Sequence, residues 1–157
     1  MEALFRVHWG PAHRAAFLIV RDGAAAEDIA QEAFLAAIRS LDRFDRRRPF
    51  GPWLHRIVVN RAIDWSRARA LRREVAEPVE PEAPAERPGG WSDETVNALA
   101  LLDTDQRAAV VLRYLLEYTP GEIAALLEVP RGTVNSRLRR ALDRLAAELE
   151  PESEDRR

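Results

Sequence analysis

From Glu74 to Gly90 the chain reads EVAEPVEPEAPAERPGG, with proline at positions 78, 81, 84 and 88. Proline removes a backbone donor and locks φ, and closely spaced glutamates repel one another. The stretch therefore lacks both the hydrogen bonds and the apolar side chains needed to join a core, and it is expected to be an extended linker. It splits the 157 residues into two parts, 1–73 and 93–151, joined by 74–92, with ESEDRR at 152–157 as a disordered tail.

Within each part the periodicity is helical. No stretch alternates apolar and polar residues with β-branched side chains, so no sheet is expected. Between Glu27 and Leu41, residues Ile29, Ala33, Phe34, Ala37, Ile38 and Leu41 fall on one helical face. A later helix is expected from near Pro52, which suits a first helical position, to about Arg69. It is apolar over most of its circumference, with one polar stripe of Arg56, Asn60, Asp64 and Arg67. In the second part, Val96–Leu102 and Gln106–Leu116 read as two helices, followed by a helix capped by Thr119 with Pro120 and Glu122 behind it. After Glu128-Val129-Pro130 comes a long helix seated by Val134, Leu138, Ala141, Leu142, Leu145 and Leu149. The fold class is all-α: two small helical domains on an acidic, proline-rich linker, the second containing a helix-turn-helix.

Composition narrows the function. Hydrophobic residues make up 46% of the chain and charged residues 32%, as in a globular protein. Cysteine is absent, which excludes disulfides and thiolate metal sites. No apolar run reaches the roughly 20 residues that span a bilayer, and the N-terminus lacks a signal-peptide layout. A cytoplasmic protein without membrane insertion is expected. The net charge of −2 conceals segregation. From Arg39 to Arg73 eleven arginines face Asp42, Asp45 and Asp64, giving +8, and from Arg131 to Arg144 five face Asp143, giving +4. Between them, Glu74–Glu94 carries seven acids against Arg87, giving −6. All the cationic side chains are arginine, a residue suited to phosphates and base edges.

Three surfaces stand out. The segment TPGEIAALLEVPRGTVNSRLRRA, Thr119–Ala141, has helix-turn-helix spacing, whose second helix enters a major groove. Asn135, Ser136, Arg139 and Arg140 are placed to reach bases, and Thr133 and Arg137 suit phosphates. The competing reading is an amphipathic surface helix with solvated arginines. Asp28, Gln31, Glu32, Leu35 and Arg39 form a polar face with a leucine at its centre, either an ordinary exposed leucine or a knob in a docking surface. The Arg56, Asn60, Asp64 and Arg67 stripe follows the basic loop RFDRRRPF, with Phe44, Phe50, Trp53 and Trp65 nearby. Basic channels with rings hold single strands, although most of these rings are expected in the core. His8, His13 and His55 are scattered and no catalytic motif occurs, so neither enzymatic activity nor a cofactor or metal is expected.

AEDIAQEAFLAAIRSLDRF, RPFGPWLHRIVVNRAIDWSR and DQRAAVVLRYLLEYTPGEIAALLEVPRGTVNSRLRRALDRL, in that order, resemble an extracytoplasmic-function (ECF) sigma factor of bacterial RNA polymerase. The resemblance covers nearly all of the chain outside the linker and tail. It implies a subunit that binds core polymerase and directs promoter recognition. Asp28, Gln31, Glu32 and Leu35 would dock on the beta-prime clamp. Arg56, Asn60, Asp64 and Arg67 would hold the single-stranded minus-ten element. Thr133, Asn135, Ser136, Arg137, Arg139 and Arg140 would read the minus-thirty-five duplex, with Arg113 matching a backbone-contacting position. An anti-sigma factor is a further implied partner. The alternative is a stand-alone helix-turn-helix transcription regulator. Three departures from the family pattern are visible. Glu128 stands where glycine is usual in the turn, so a strained or rearranged turn is expected. Asp103 stands where proline is common, and Gly10-Pro11 is a candidate break in the first helix.

Overall fold

A computed structural model describes residues 2–75 and 91–149. The linker expectation between 76 and 90 and the whole of the tail lie outside the described residues. The first half is a three-helix arrangement of α1 (Glu2–Val20), α2 (Gly23–Arg39) and α3 (Phe50–Val75), with a 3-10 turn at Leu41–Arg43. The second half comprises α4 (Asp93–Ala100), α5 (Thr104–Val110), a π-type turn at Val111–Leu115, α6 (Pro120–Leu127) and α7 (Arg131–Leu149). Among the described residues no strand occurs, as expected of an all-α chain.

Gly10-Pro11 does not break α1. Pro11 sits inside a continuous helix; the carbonyl it leaves without a donor belongs to Val7, the most exposed large apolar residue among the described residues. The helix is then held by its second half, where Ala12, Ala15, Ala16, Leu18 and Ile19 are buried. Fully burying a leucine or isoleucine contributes roughly 1.5–3 kcal/mol, enough for a few such residues to offset one proline. Arg21, at φ 57°, turns the chain out of α1, and its N–H donates to the Phe17 carbonyl at 2.7 Å. Asp22 then caps α2, its carboxylate accepting from the Ala25 N–H at 3.0 Å. That cap starts α2 four residues earlier than the apolar pattern suggested.

The other boundaries moved for similar local reasons. Helix α3 begins at Phe50 and continues to Val75, beyond the expected Arg69 and just into the expected linker; Arg72 and Arg73 complement the dipole of its last turn. Helix α4 starts at Asp93 because Ser92 caps it, accepting from the Thr95 N–H at 3.2 Å. Asp103, the departure from proline, forms a capping box with Gln106 at the start of α5.

Most residues of the apolar stripes are buried; Ile38, Leu41 and Leu142 depart, and the side chain of Leu149 lies outside the described residues. Ile29, Ala33, Phe34 and Ala37 of α2 are buried, but Ile38 is 41% exposed. Val134, Leu138 and Ala141 of α7 are buried, but Leu142 is 44% exposed beside Tyr114 and α4. The two small domains do not keep separate cores. Instead one continuous apolar cluster runs through both, because α1 packs on α5 and the π-type turn, and α3 packs on α5 and α6.

Candidate nucleic-acid and partner interfaces

On α2, Asp28, Gln31, Glu32 and Leu35 are all exposed, on the side opposite the buried Ala33 and Ala37. Gln31 donates to Glu27 at 3.4 Å, and Glu32 accepts from Arg61 of α3 at 3.1 Å. Leu35 is 50% exposed and is not an isolated leucine. With Ile38, Phe5, Trp9 and Phe34 it lines an apolar groove between α1 and α2. Sequence periodicity placed Ile38 in the core; it belongs to this groove instead.

The polar stripe of α3 is also as predicted, with Arg56, Asn60, Asp64 and Arg67 all exposed on one side of a helix whose Leu54, Val58, Val59 and Ala62 are buried. The neighbouring rings pack on one another. Phe44 stacks on Trp53 at 4.6 Å between centroids, and Phe50 meets both rings edge-on. Phe50, Trp53 and Trp65 lean on the core. In the basic loop, Asp45 accepts from the backbone N–H and the side chain of Arg47, and these bonds hold its carboxyl below the usual range.

The helix-turn-helix forms from strong local signals. Thr119 Oγ1 accepts from the Glu122 N–H at 3.2 Å, and Glu122 Oε1 accepts from the Thr119 N–H at 3.0 Å, with Pro120 in the first position. Glu128 ends α6 in the left-handed region, at φ 56°, ψ 46°. This is the strain expected of a non-glycine residue there. The turn is nevertheless closed, since the Val129 N–H reaches the Ala124 carbonyl at 3.0 Å. Behind it, Val134 and Leu138 seat α7, which leaves Asn135, Arg139 and Arg140 exposed and Thr133, Ser136 and Arg137 half-buried. Arg113 is also half-buried: its guanidinium donates to the Tyr118 carbonyl at 3.4 Å and lies 5.7 Å from the Tyr114 ring.

Two family patterns account for nearly all of the described chain. Sigma-70 region 2 matches residues 4–72, and Sigma-70, region 4 matches residues 92–145. The ECF RNA polymerase sigma factor SigM of Mycobacterium tuberculosis is 38% identical over 154 residues, covering 92% of this chain and 74% of that protein. The chain belongs to the ECF group of the sigma-70 family. Its function is that of a sigma factor directing transcription initiation, and a stand-alone regulator is not favoured. ECF sigma factors SigW of Bacillus subtilis and sigma-E of Escherichia coli are 36% and 32% identical to it. SigW aligns over 79% of this chain and 75% of its own length, sigma-E over 88% and 82%. Two solved structures share its fold. The sigma factor RpoE of Bartonella quintana, in complex with the anti-sigma factor NepR, superposes with a TM-score of 0.75 at 25% identity, covering 96% of this chain and 98% of RpoE. CnrH, in complex with the cytosolic domain of CnrY, superposes at 0.71 and 30% identity, covering 97% and 88%.

In this sigma factor, region 2 carries the α2 face and the α3 stripe, and region 4 carries α7. The structure adds contacts between them that sequence reasoning missed. His55 Nδ1 and the Tyr118 hydroxyl share a hydrogen bond at 2.7 Å. Burial first, and the charge of His8 second, push the His55 pKa down to about 4, so the ring is neutral at physiological pH. Burial, then the Glu122 carboxylate, push Tyr118 up to about 12. Arg56 of the α3 stripe pairs with Glu128, and Arg67 pairs with Asp105 at 2.7 Å. No periodicity in the sequence signals these pairs. Among the described residues no helix is long and apolar enough to cross a membrane, and no group of three or more potential ligands is placed to hold a metal ion.

Proposed function

We propose that this sigma factor docks on the beta-prime clamp of core RNA polymerase through Asp28, Gln31, Glu32 and Leu35. Arg56, Asn60, Asp64 and Arg67 hold the melted minus-ten strand. Asn135, Ser136, Arg139 and Arg140 read base edges of the minus-thirty-five duplex, while Thr133, Arg137 and Arg113 steady its backbone. The functional units are residues 1–73 and 93–151, with 74–92 as the tether and 152–157 as a tail. The observation that carries the reading is α7 itself: a closed helix-turn-helix seats Val134 and Leu138 inward and turns Asn135, Arg139 and Arg140 to solvent. Its arginines supply salt-dependent affinity and its polar side chains sequence choice.

The protein acts in the cytoplasm, has no enzymatic activity of its own, and is restrained by an anti-sigma factor covering the α2 or α7 surface. RpoE and CnrH, each solved in complex with such a protein or with a cytosolic domain, support that partner class. In-vitro transcription with purified core enzyme tests the whole reading. Promoter-specific transcripts are expected only when the chain is added; core enzyme that neither binds it nor gains promoter selectivity would refute it.

A further inference from the structure

Both arginines of the α3 stripe are already occupied by carboxylates from region 4. Glu128 takes Arg56, and Asp105 takes Arg67 at 2.7 Å. Asp105 also lies 3.9 Å from Arg137 of α7, so one carboxylate faces arginines on both proposed DNA surfaces. A carboxylate on a guanidinium uses the same charge-assisted, planar recognition as a phosphate. Region 4 therefore sets, along the proposed minus-ten surface, two groups with the charge and acceptor geometry of a DNA backbone.

The conformation of Glu128 is the second observation. Its φ of 56° lies where glycine is least strained, yet the chain carries a glutamate. Strain at such a position is often kept because the side chain has work to do. Here that side chain reaches a residue 72 positions away, on the other half of the molecule. The pairs are also weak by construction. Arg56 and Glu128 are 48% and 74% exposed, so water and salt screen them. The part-buried His55–Tyr118 bond joins the two halves, and the exposed pairs beside it are easily exchanged.

We propose that Glu128 and Asp105 form an autoinhibitory latch, which in the free chain occupies Arg56 and Arg67 in place of DNA phosphate and releases them when region 4 moves away. The inhibitory role rests on the reading of the α3 stripe given above; the latch itself does not.

The natural absence of cysteine permits site-specific spin labelling of the full chain at two exposed positions, Arg39→Cys on α2 and Ala147→Cys on α7. The distance distribution between the labels is expected to be narrow at low salt. It should broaden in the Glu128→Gly, Asp105→Asn variant, and also in the unmodified background at about 1 M salt, where the Debye length is about 3 Å, while the shared core and the His55–Tyr118 bond keep its mean nearly unchanged. Reversing one pair, Arg56→Glu with Glu128→Arg, should restore the narrow distribution that Arg56→Glu alone loses. A fluorescein-labelled, mixed-sequence single strand should bind the latch variant roughly threefold to tenfold more tightly than the parent. An unchanged distribution together with unchanged strand binding in Glu128→Gly, Asp105→Asn overturns the latch. A distribution that broadens with no gain in strand binding overturns the reading of the α3 stripe, and the inhibitory role with it.

Discussion

His55 on α3 and Tyr118 just before α6 share one hydrogen bond of 2.7 Å, although 63 positions separate them in the chain. The bond lies on the seam between regions 2 and 4, with Tyr118 buried and the other nitrogen of His55 buried without a partner. It couples the titration of a histidine to the joining of the two halves.

Stability should therefore fall as the solution is acidified towards the folded pKa of His55. The unfolded chain takes up a proton near pH 6.5, while the folded chain resists it down to about pH 4. The contribution is fully present above 6.5 and is lost as pH falls to about 4, with an upper limit of about 3 kcal/mol. Urea unfolding of the parent and His55→Gln between these limits should show the parent losing more stability. Parallel pH profiles would count against it. Tyr118→Phe at neutral pH should cost about 1–2 kcal/mol, because it strands a buried ring nitrogen.

Glu128→Gly is expected to leave global stability within about 1 kcal/mol of the parent. Relief of the left-handed backbone contributes about 1 kcal/mol, and loss of an exposed ion pair removes up to about the same. Thermal melts followed by circular dichroism check this. A large destabilisation would mean that the glutamate holds the turn through contacts other than Arg56.

Leu35→Arg should abolish co-elution with core polymerase while shifting the melting temperature little. Leu35 is half exposed and rims an apolar groove, so a charge there leaves the folded core dry but spoils a docking surface. Retained polymerase binding would move the docking site elsewhere.

Arg140→Ala should weaken promoter binding by about 1–3 kcal/mol at one base position while sparing scrambled duplex. Gel shifts with polymerase present separate the two. Equal loss on both duplexes would reassign Arg140 to the DNA backbone, a role the half-buried Arg137 was expected to fill.

The exposed stripes on α2, α3 and α7 were legible in the sequence because burial along a helix repeats with its own turn, and Ala33, Val58 and Val134 mark the inward side without any partner in view. The α6 cap was equally legible, since Thr119, Pro120 and Glu122 act within one turn. Where prediction slipped, the arbiter was a neighbour. Ile38 and Leu142 fit the apolar stripes of their helices, yet each lies at the edge of a groove that no described residue fills. Pro11 suggested a break, but the buried half of α1 outweighed it.

By itself, then, the sequence determined the helices, their inward and outward faces, the helix-turn-helix and the family to which they belong, all properties of local spacing. Tertiary structure alone decided that one core runs through both halves, and that Glu128 and Asp105 come to rest on Arg56 and Arg67. Such pairings depend on how many weak contacts between remote helices add up in space, a sum that no single helix carries in its own order of residues.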